Sequence, residues 1–133
     1  MTSHVRTNLK TITLPRTPNA YLLAPEGYCK SAKPHDVAPE FNLSPAQLWD
    51  ALLRYVGQEP RITLHDQDKH AGYLEYTQRS AVFRFPDRIV INVLSAAAAG
   101  KSTIAVFSRS KYGRSDLGAN KARVKRLIAE LSS

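Results

Sequence analysis

The chain has 133 residues, 43% hydrophobic and 23% charged, which is typical of one soluble globular domain and argues against a disordered or fibrous chain. Lys and Arg number 19 against 11 Asp and Glu. The resulting net charge of +8 favours an anionic partner, which is nucleic acid, an anionic membrane surface or a phosphorylated or carboxylated small molecule; the alternative is a basic protein with no such partner. Cys29 is the only cysteine, which excludes an intrachain disulfide, and no apolar run reaches the ~18 residues of a membrane-spanning helix.

The first 43 residues predict an extended arm. Five prolines between positions 15 and 39 recur too often for a helix or a central strand. We expect residues 1–14 to be flexible and residues 15–133 to form a single domain, with an extended arm at 15–43 and a helix–sheet–helix core at 44–133. Because no apolar stretch follows the first charges, no secretory signal is predicted and the sequence as written indicates a cytoplasmic protein, with an envelope or periplasmic location left open for a trimmed N-terminus.

The first helix has a clear start signal. Ser44 suits the N-cap, Pro45 suits the first helical position, and Gln47 completes a capping box. Gly57 is a suitable C-cap, so the predicted helix spans 44–56. The apolar residues of this helix recur on one face: Leu48, Leu52, Tyr55 and Val56.

Strand-forming stretches follow the helix. They are rich in β-branched and aromatic residues and lie at 61–65, 73–79, 81–85, 88–94 and 103–108. The apolar residues of the second and third stretches differ in parity. If both sets face the core, a bulge or bend near Arg79 must change the register.

Two polar stretches resemble ligand sites only in part. Residues 100–102 read Gly-Lys-Ser like the end of a phosphate-binding loop, but Ser95 stands where that motif needs glycine and a strand follows. We therefore predict a hairpin connection there. A second group matches no zinc or calcium loop, so we predict no metal site and no cofactor: His65, Asp66, Asp68 and His70.

The densest chemistry lies between Arg109 and Arg123. Ser115 suits an N-cap and Asp116 suits the positive end of a helix dipole, which predicts a last helix over 116–131. Asn120 falls inside the apolar stripe of that helix, and an unpaired buried amide would cost roughly 1–3 kcal/mol. It must therefore have a partner, for which the backbone of the 109–115 turn is the obvious source. The stripe consists of Leu117, Val124, Leu127, Ile128 and Leu131.

Together these elements predict an α+β fold. It consists of a mainly antiparallel four- to five-stranded sheet, two helices packed on it, and an extended Pro-rich N-terminal arm. The apolar segment 20–24 of the arm is expected to lie along the domain as an edge strand.

The stretch from Ser108 to Arg123 resembles the C-terminal signature of the family called domain of unknown function 1499. Stretches 17–22, 43–48 and 83–87 agree with the same family in order, so the resemblance covers about residues 15–131. It implies an α+β domain of bacterial or plastid origin and no established activity. Ala20 stands where many members have a cysteine, so a cysteine-based role is not carried over. The matching signature positions are Ser108, Arg109, Gly113, Asp116, Gly118, Asn120 and Arg123.

Two interpretations of this stretch are open. In one, basic side chains and hydroxyl groups around a helix start bind an anion. In the other, Asp87, Asp116 and Asn120, with Arg109 as a partner, form a structural clasp between strand and helix. The proposed anion ligands are Arg109, Ser110, Lys111, Arg114, Ser115, Lys121 and Arg123.

An enzyme and a nucleic-acid-binding protein are alternative functions. In an enzyme, Asp116 or Asp87 would be the base, but the sequence has no recognisable nucleophile–base pair. Arg109 or Arg79 would then stabilise developing charge. The basic last helix suits nucleic acid, yet no recognised motif accompanies it. A peripheral role at the envelope or at a membrane surface is a further alternative, given the basic charge and the location that the family resemblance implies. We therefore predict a non-catalytic binding module for an anionic small molecule, a lipid headgroup or an envelope partner. We expect an anionic small molecule or a membrane surface as the partner, and neither nucleic acid nor a transmembrane segment.

Overall fold

A computed structural model of the protein describes residues 5–113 and 116–132. The order of the sheet is β2-β1-β6-β5-β4-β3, with β1 and β2 parallel and every other neighbouring pair antiparallel. The predicted α+β class is confirmed, although this sheet has six strands where four or five were predicted. The elements are β1 (Ala20–Ala24), β2 (Asp36–Val37), α1 (Pro45–Gln58), β3 (Ile62–Asp68), β4 (Tyr73–Arg79), β5 (Pro86–Ser95), β6 (Ser102–Ser110) and α2 (Ala119–Ser132).

Two of the six strands come from the arm. Segment 20–24 pairs with β6 as β1, and the two-residue β2 lies beyond it, so β1 is not the edge strand that we expected. Apolar side chains on both faces of β1 explain its position, since Tyr21 and Leu23 face one core cluster and Leu22 faces another.

The sheet is covered on both faces. Because successive strand residues point to opposite faces, one set packs against α1 and α2 around Trp49 and Ile91. The other set packs against the arm around Leu22 and Phe107. Residues 5–14, part of the segment that we expected to be flexible, lie in this second layer, where Leu9 is fully buried. No helix in residues 5–113 and 116–132 is long and apolar enough to cross a bilayer.

Helix α1 begins as predicted. The Ser44 hydroxyl accepts the N–H of Gln47 at 3.2 Å, and the Gln47 side chain accepts the N–H of Ser44 at 2.9 Å. Its end differs, since the helix continues through Gly57 to Gln58 and Glu59 is the C-cap. Gly57 is not in the left-handed conformation that a glycine C-cap adopts, so it does not terminate the helix.

Helix α2 begins three residues later than predicted. Leu117 and Gly118 have φ values of 53° and 83°, and a right-handed helix cannot include that left-handed backbone. Leu117 is therefore outside the apolar stripe and is 96% exposed. The predicted N-cap, Ser115, lies outside the described residues.

Residues 81–85 are a loop and not the strand that we predicted. Strand β4 ends at Arg79. The N–H of Ser80 donates to the carbonyl of Phe85 at 3.0 Å, and this hydrogen bond joins the two ends of the loop. Arg84 has a φ of 60°, a conformation that a strand does not contain. The change of parity near Arg79 thus reflects the end of a strand, and Phe83 and Phe85 are exposed. The hairpin predicted around 100–102 is confirmed, since Ser95 pairs with Ser102.

We predict that Gly72→Ala destabilises the protein by more than the roughly 1–2 kcal/mol that left-handed backbone costs an L residue. Gly72 has a φ of 66°, and an added Cβ would lie 2.5 Å from the carbonyl oxygen of Val93. Gly57→Ala is the matched control, because a Cβ at this helical position meets nothing within 4 Å. Urea unfolding should show a loss for the first variant and a gain of up to about 1 kcal/mol for the second. Equal effects would contradict this account.

Candidate functional site

The basic stretch is divided between the two faces of the sheet. Ser108 and Ser110 of β6 face the helices, while Arg109 between them faces the arm. Lys111 follows Arg109 to the arm side. The residues that we considered as a single site therefore form two sites, separated by the thickness of the sheet. Arg114 and Ser115 lie outside the described residues.

On the helix side, Asn120 is fully buried at the first turn of α2. Its side-chain oxygen accepts a hydrogen bond from the Ser108 hydroxyl at 2.5 Å. Its side-chain nitrogen donates to the Asn19 carbonyl at 3.1 Å, the Ser110 hydroxyl at 3.0 Å and the Asp116 carboxylate at 2.6 Å. This one amide thus connects α2 to β6 and to the residue before β1. We call the group Asn120, Ser108, Ser110, Asp116, Arg123 and Asp87 the clasp.

Arg123 extends the clasp across the sheet. Its guanidinium donates to the side-chain oxygen of Asn120 at 2.8 Å and to the Ser108 hydroxyl at 3.2 Å. It also forms an ion pair with Asp87 of β5 at 2.7 Å and donates to the side chain of Gln78 of β4 at 2.9 Å. The side chain is only 14% exposed, so its donors are used within the fold. The sequence placed Arg123 among the ligand residues, whereas the structure places it with Asp87 and Asn120.

Asp116 occupies the N-terminus of α2. Its carboxylate accepts the N–H groups of Gly118 at 2.8 Å and Asn120 at 3.1 Å. Burial opposes ionisation, but these bonds and the Asn120 amide outweigh it, so the pKa of Asp116 is lowered. A carboxylate therefore sits where an anionic ligand of this helix would have to bind.

On the arm side, an open cleft of about 590 Å³ lies over β4, β5 and β6. Three of the side chains that line it are cationic, namely Arg88, Arg109 and Lys111, and one is a carboxylate, Glu75. Arm and sheet supply the remaining walls: Thr7, Ile12, Thr13, Val90 and Phe107. The cleft therefore combines a net positive charge with apolar surface.

A hydrogen-bonded chain holds one wall of the cleft. The N–H of Thr7 donates to the Tyr73 hydroxyl at 2.9 Å, and that hydroxyl donates to the Glu75 carboxylate at 2.7 Å. Burial and the neighbouring carboxylate raise the pKa of Tyr73 to about 12, so its hydroxyl keeps its proton. Glu75 also pairs with Arg88. Arg6 anchors the arm nearby through Asp66 at 2.7 Å and Asp68 at 2.9 Å.

Arg88 and Arg109 are direct cross-strand neighbours. Like charges in that position repel each other and destabilise a sheet. Glu75 offsets the charge of Arg88, whereas Arg109 makes no side-chain hydrogen bond or ion pair with any residue in the described ranges. Lys111 is exposed and lies with its ammonium 5.8 Å from the ring centre of Tyr112. Two cations thus face the cleft without a carboxylate partner in the part of the chain that is described.

Sequence reasoning missed the contribution of Arg88, Glu75 and Thr7 to this cleft. A carboxylate between the apolar and aromatic residues Leu74 and Tyr76 was a usable signal for Glu75, because a buried carboxylate requires a partner. Nothing in the sequence indicated that Arg88 would lie opposite Arg109, since that pairing depends on the register of β5 and β6.

The remaining predicted residues lie elsewhere. Lys121 borders a separate cavity of about 600 Å³ beside His35 and Asp36. Asp66 and Asp68, from the stretch that we compared with metal sites, form ion pairs with Arg6. His65 of the same stretch is hydrogen-bonded to the Thr77 hydroxyl at 2.7 Å. Of the residues in the alternative enzyme site, Asp87 and Asp116 lie on the helix side and Arg109 on the arm side. Arg79 is exposed at the end of β4 and donates to the carbonyl of Arg84.

We predict that Asn120→Ala costs about 3 kcal/mol of stability, because it leaves several buried groups without their partner. Lys125→Ala on the exposed side of the same helix is the control and should cost less than about 0.5 kcal/mol. Chemical denaturation of both variants checks this. Equal losses would mean that the clasp contributes nothing beyond helix propensity.

The stabilising effect of Asp116 should depend on pH. Its folded-state pKa lies below the ordinary value of 3.8, so the stabilisation is complete well above pH 3.8 and disappears as pH falls through the folded-state pKa. Asp116→Asn should therefore be less stable than wild type at pH 7, and the difference should narrow at about pH 3. Urea titrations at both pH values measure this difference, and a constant gap would contradict a role for the charge.

Comparison with known proteins extends the sequence resemblance. The model of the family described as "Protein of unknown function (DUF1499)" matches residues 10–131. No curated protein matches the chain. The matched range includes the whole clasp and the three cations of the cleft. The chain therefore belongs to the DUF1499 family of proteins of unknown function.

Proposed function

We propose that the protein is a non-catalytic binding module for an anion, and that the arm-side cleft is its binding site. The observation that carries this proposal is the convergence of Arg88, Arg109 and Lys111 on one open cleft where, among the described lining residues, Glu75 is the one carboxylate. Guanidinium and ammonium groups are the side chains that bind phosphate and carboxylate.

The repulsion between Arg88 and Arg109 supports the proposal. A sheet that places two arginines directly opposite each other loses stability, and a bound anion between them would recover it. The side chain of Arg109 has no hydrogen-bond or ion-pair partner within the described ranges, so its five donors are available to a ligand.

The start of α2, where we first expected the anion, is less suitable. The Asp116 carboxylate already accepts the N–H groups there, and Arg123 is engaged by the clasp. A second negative charge at that helix start would be repelled. Among the described residues of the site proposed from the sequence, the proposed cleft keeps Arg109 and Lys111, and it gains Arg88 as a third cation.

The walls of the cleft indicate the kind of ligand. Thr7 and Thr13 provide polar groups, while Ile12, Val90 and Phe107 provide apolar surface. An anionic group with an apolar portion attached fits this lining better than a bare inorganic ion. A small phosphorylated or carboxylated molecule, a lipid headgroup and an envelope partner with such a group all share this chemistry.

We predict that pyrophosphate or a short-chain alkyl phosphate raises the melting temperature of the protein. A ligand at ten times its Kd stabilises by about 1.4 kcal/mol, which corresponds to roughly 3–8 °C for a chain of this size. Arg109→Gln should abolish the response and leave the ligand-free protein as stable as wild type or slightly more stable, since it removes a like-charge contact.

Lys121→Gln is the matched control, because Lys121 lies by a different cavity and its loss should leave the response intact. The proposal fails if no phosphate compound shifts the wild-type melting temperature. It also fails if Arg109→Gln only lowers stability and responds to the ligand as wild type does, because Arg109 would then be structural.

A further inference from the structure

One end of the sheet carries a concentration of exposed apolar side chains. Phe83 is 71% exposed and Val82 is 80% exposed, although residues of this size are usually buried. Exposed apolar surface concentrated in one region marks a contact with another molecule. We call this end of the molecule the apolar tip; its exposed large side chains are Val82, Phe83, Phe85, Tyr112 and Leu117.

The strand register places these residues at the same end of the sheet. Loop 80–85 extends beyond the last pair of the β4–β5 hairpin, Arg79 and Pro86. Strand β6 ends beside that hairpin, where the N–H of Lys111 donates to the carbonyl of Pro86 at 3.1 Å. The segment that carries Leu117 is held at the same end, because the N–H of Asp116 donates to the carbonyl of Pro18, just before β1.

Loop 80–85 is internally organised. The N–H of Phe85 donates to the Ser80 hydroxyl at 3.0 Å, and the guanidinium of Arg79 donates to the carbonyl of Arg84 at 2.9 Å. The rings of Phe83 and Phe85 stack with their centres 5.5 Å apart. The two rings are therefore held outside the core by the loop itself, and little conformational entropy remains to be lost when they insert into a partner.

Basic residues surround the apolar tip. Arg61, Arg79, Arg84 and Lys111 are all exposed there. The nearby carboxylates are engaged, since Asp87 pairs with Arg123 and Asp116 accepts the N–H groups of α2. A second copy of the chain would bring the same arginines against each other. The charge of the tip is therefore complementary to an anionic surface.

We infer that the apolar tip docks onto an anionic lipid bilayer, with Phe83, Phe85 and Val82 inserted below the headgroups and the arginines among the phosphates. Protruding aromatic side chains ringed by basic residues combine the two forces that attach a protein to a membrane surface, apolar burial and attraction to anionic lipid. This inference does not rest on the anion-binding cleft, and none of the residues whose substitution is expected to weaken docking lines the cleft.

Vesicle co-sedimentation tests the docking. Wild type should partition onto phosphatidylcholine vesicles with about 30% phosphatidylglycerol and much less onto phosphatidylcholine alone. Phe83→Ser with Phe85→Ser should lower partitioning about tenfold or more. Val37→Ser is the matched control, because Val37 is 60% exposed in β2, toward the opposite end of the sheet. It should bind as wild type does.

The charge contribution has its own pair of variants. Arg84→Gln should weaken partitioning about fivefold, because each basic residue near an anionic surface contributes to binding. Lys101→Gln removes the same charge from the β5–β6 hairpin at the far end of the sheet and should have little effect. Equal losses for the two variants would indicate attraction to overall charge only and would overturn the inference.

Insertion can be measured separately from adsorption. Brominated lipid should quench the tryptophan fluorescence of the Phe83→Trp variant. It should not quench the fluorescence of wild type, whose only tryptophan is the 2% exposed Trp49.

Absence of quenching or absence of partitioning overturns the inference. Self-association that Phe83→Ser abolishes, seen by analytical ultracentrifugation without vesicle binding, would also overturn it and make a second copy the occupant. Arg109→Gln should retain vesicle binding, so failure here and failure of the cleft are distinguishable.

Discussion

The hydrogen bonds of the Asn120 amide determine how α2 meets the sheet. A fully buried amide cannot be left unpaired without a cost of roughly 1–3 kcal/mol, so its partners must be in place when the helix docks. Those partners come from both ends of the chain, the Asn19 carbonyl before β1 and the hydroxyls of Ser108 and Ser110 on β6. Arg123 then carries the same network to Asp87 on β5. The clasp thereby sets the position of the helix relative to three strands.

Successive side chains of β6 face opposite sides of the sheet, so the structural clasp and the proposed binding cleft lie on opposite faces. Ser108 and Ser110 point into the clasp, and Arg109 between them points to the opposite face. Both interpretations of the basic stretch included Arg109, but its side chain lies on the face of β6 opposite to the clasp. The polar network on the helix side holds the strand in register, and that register places Arg109 beside Arg88.

Local signals explain which elements could be predicted. The Ser44–Gln47 capping box and the apolar spacing of α1 depend on neighbours within four residues, and the start of that helix was found correctly. Leu117 was assigned to a helix because its side chain suits the apolar stripe, and Arg84 was assigned to a strand because Phe83 and Phe85 flank it at strand spacing, yet both residues adopt positive φ. Apolar periodicity says nothing about backbone handedness, which is decided by how the flanking strands and helix have to connect.

The sequence by itself determined the α+β class, the first helix, most of the strands and the need of Asn120 for partners, because each follows from local periodicity, capping or burial of a polar group. Only the tertiary structure decided which charges share a surface. The arm residue Thr7 reaches Tyr73 across 66 positions of the chain, and Arg88 meets Arg109 through strand pairing. Such neighbours are set by the register of a sheet, which arises from the packing of both faces at once and from no single stretch of the chain.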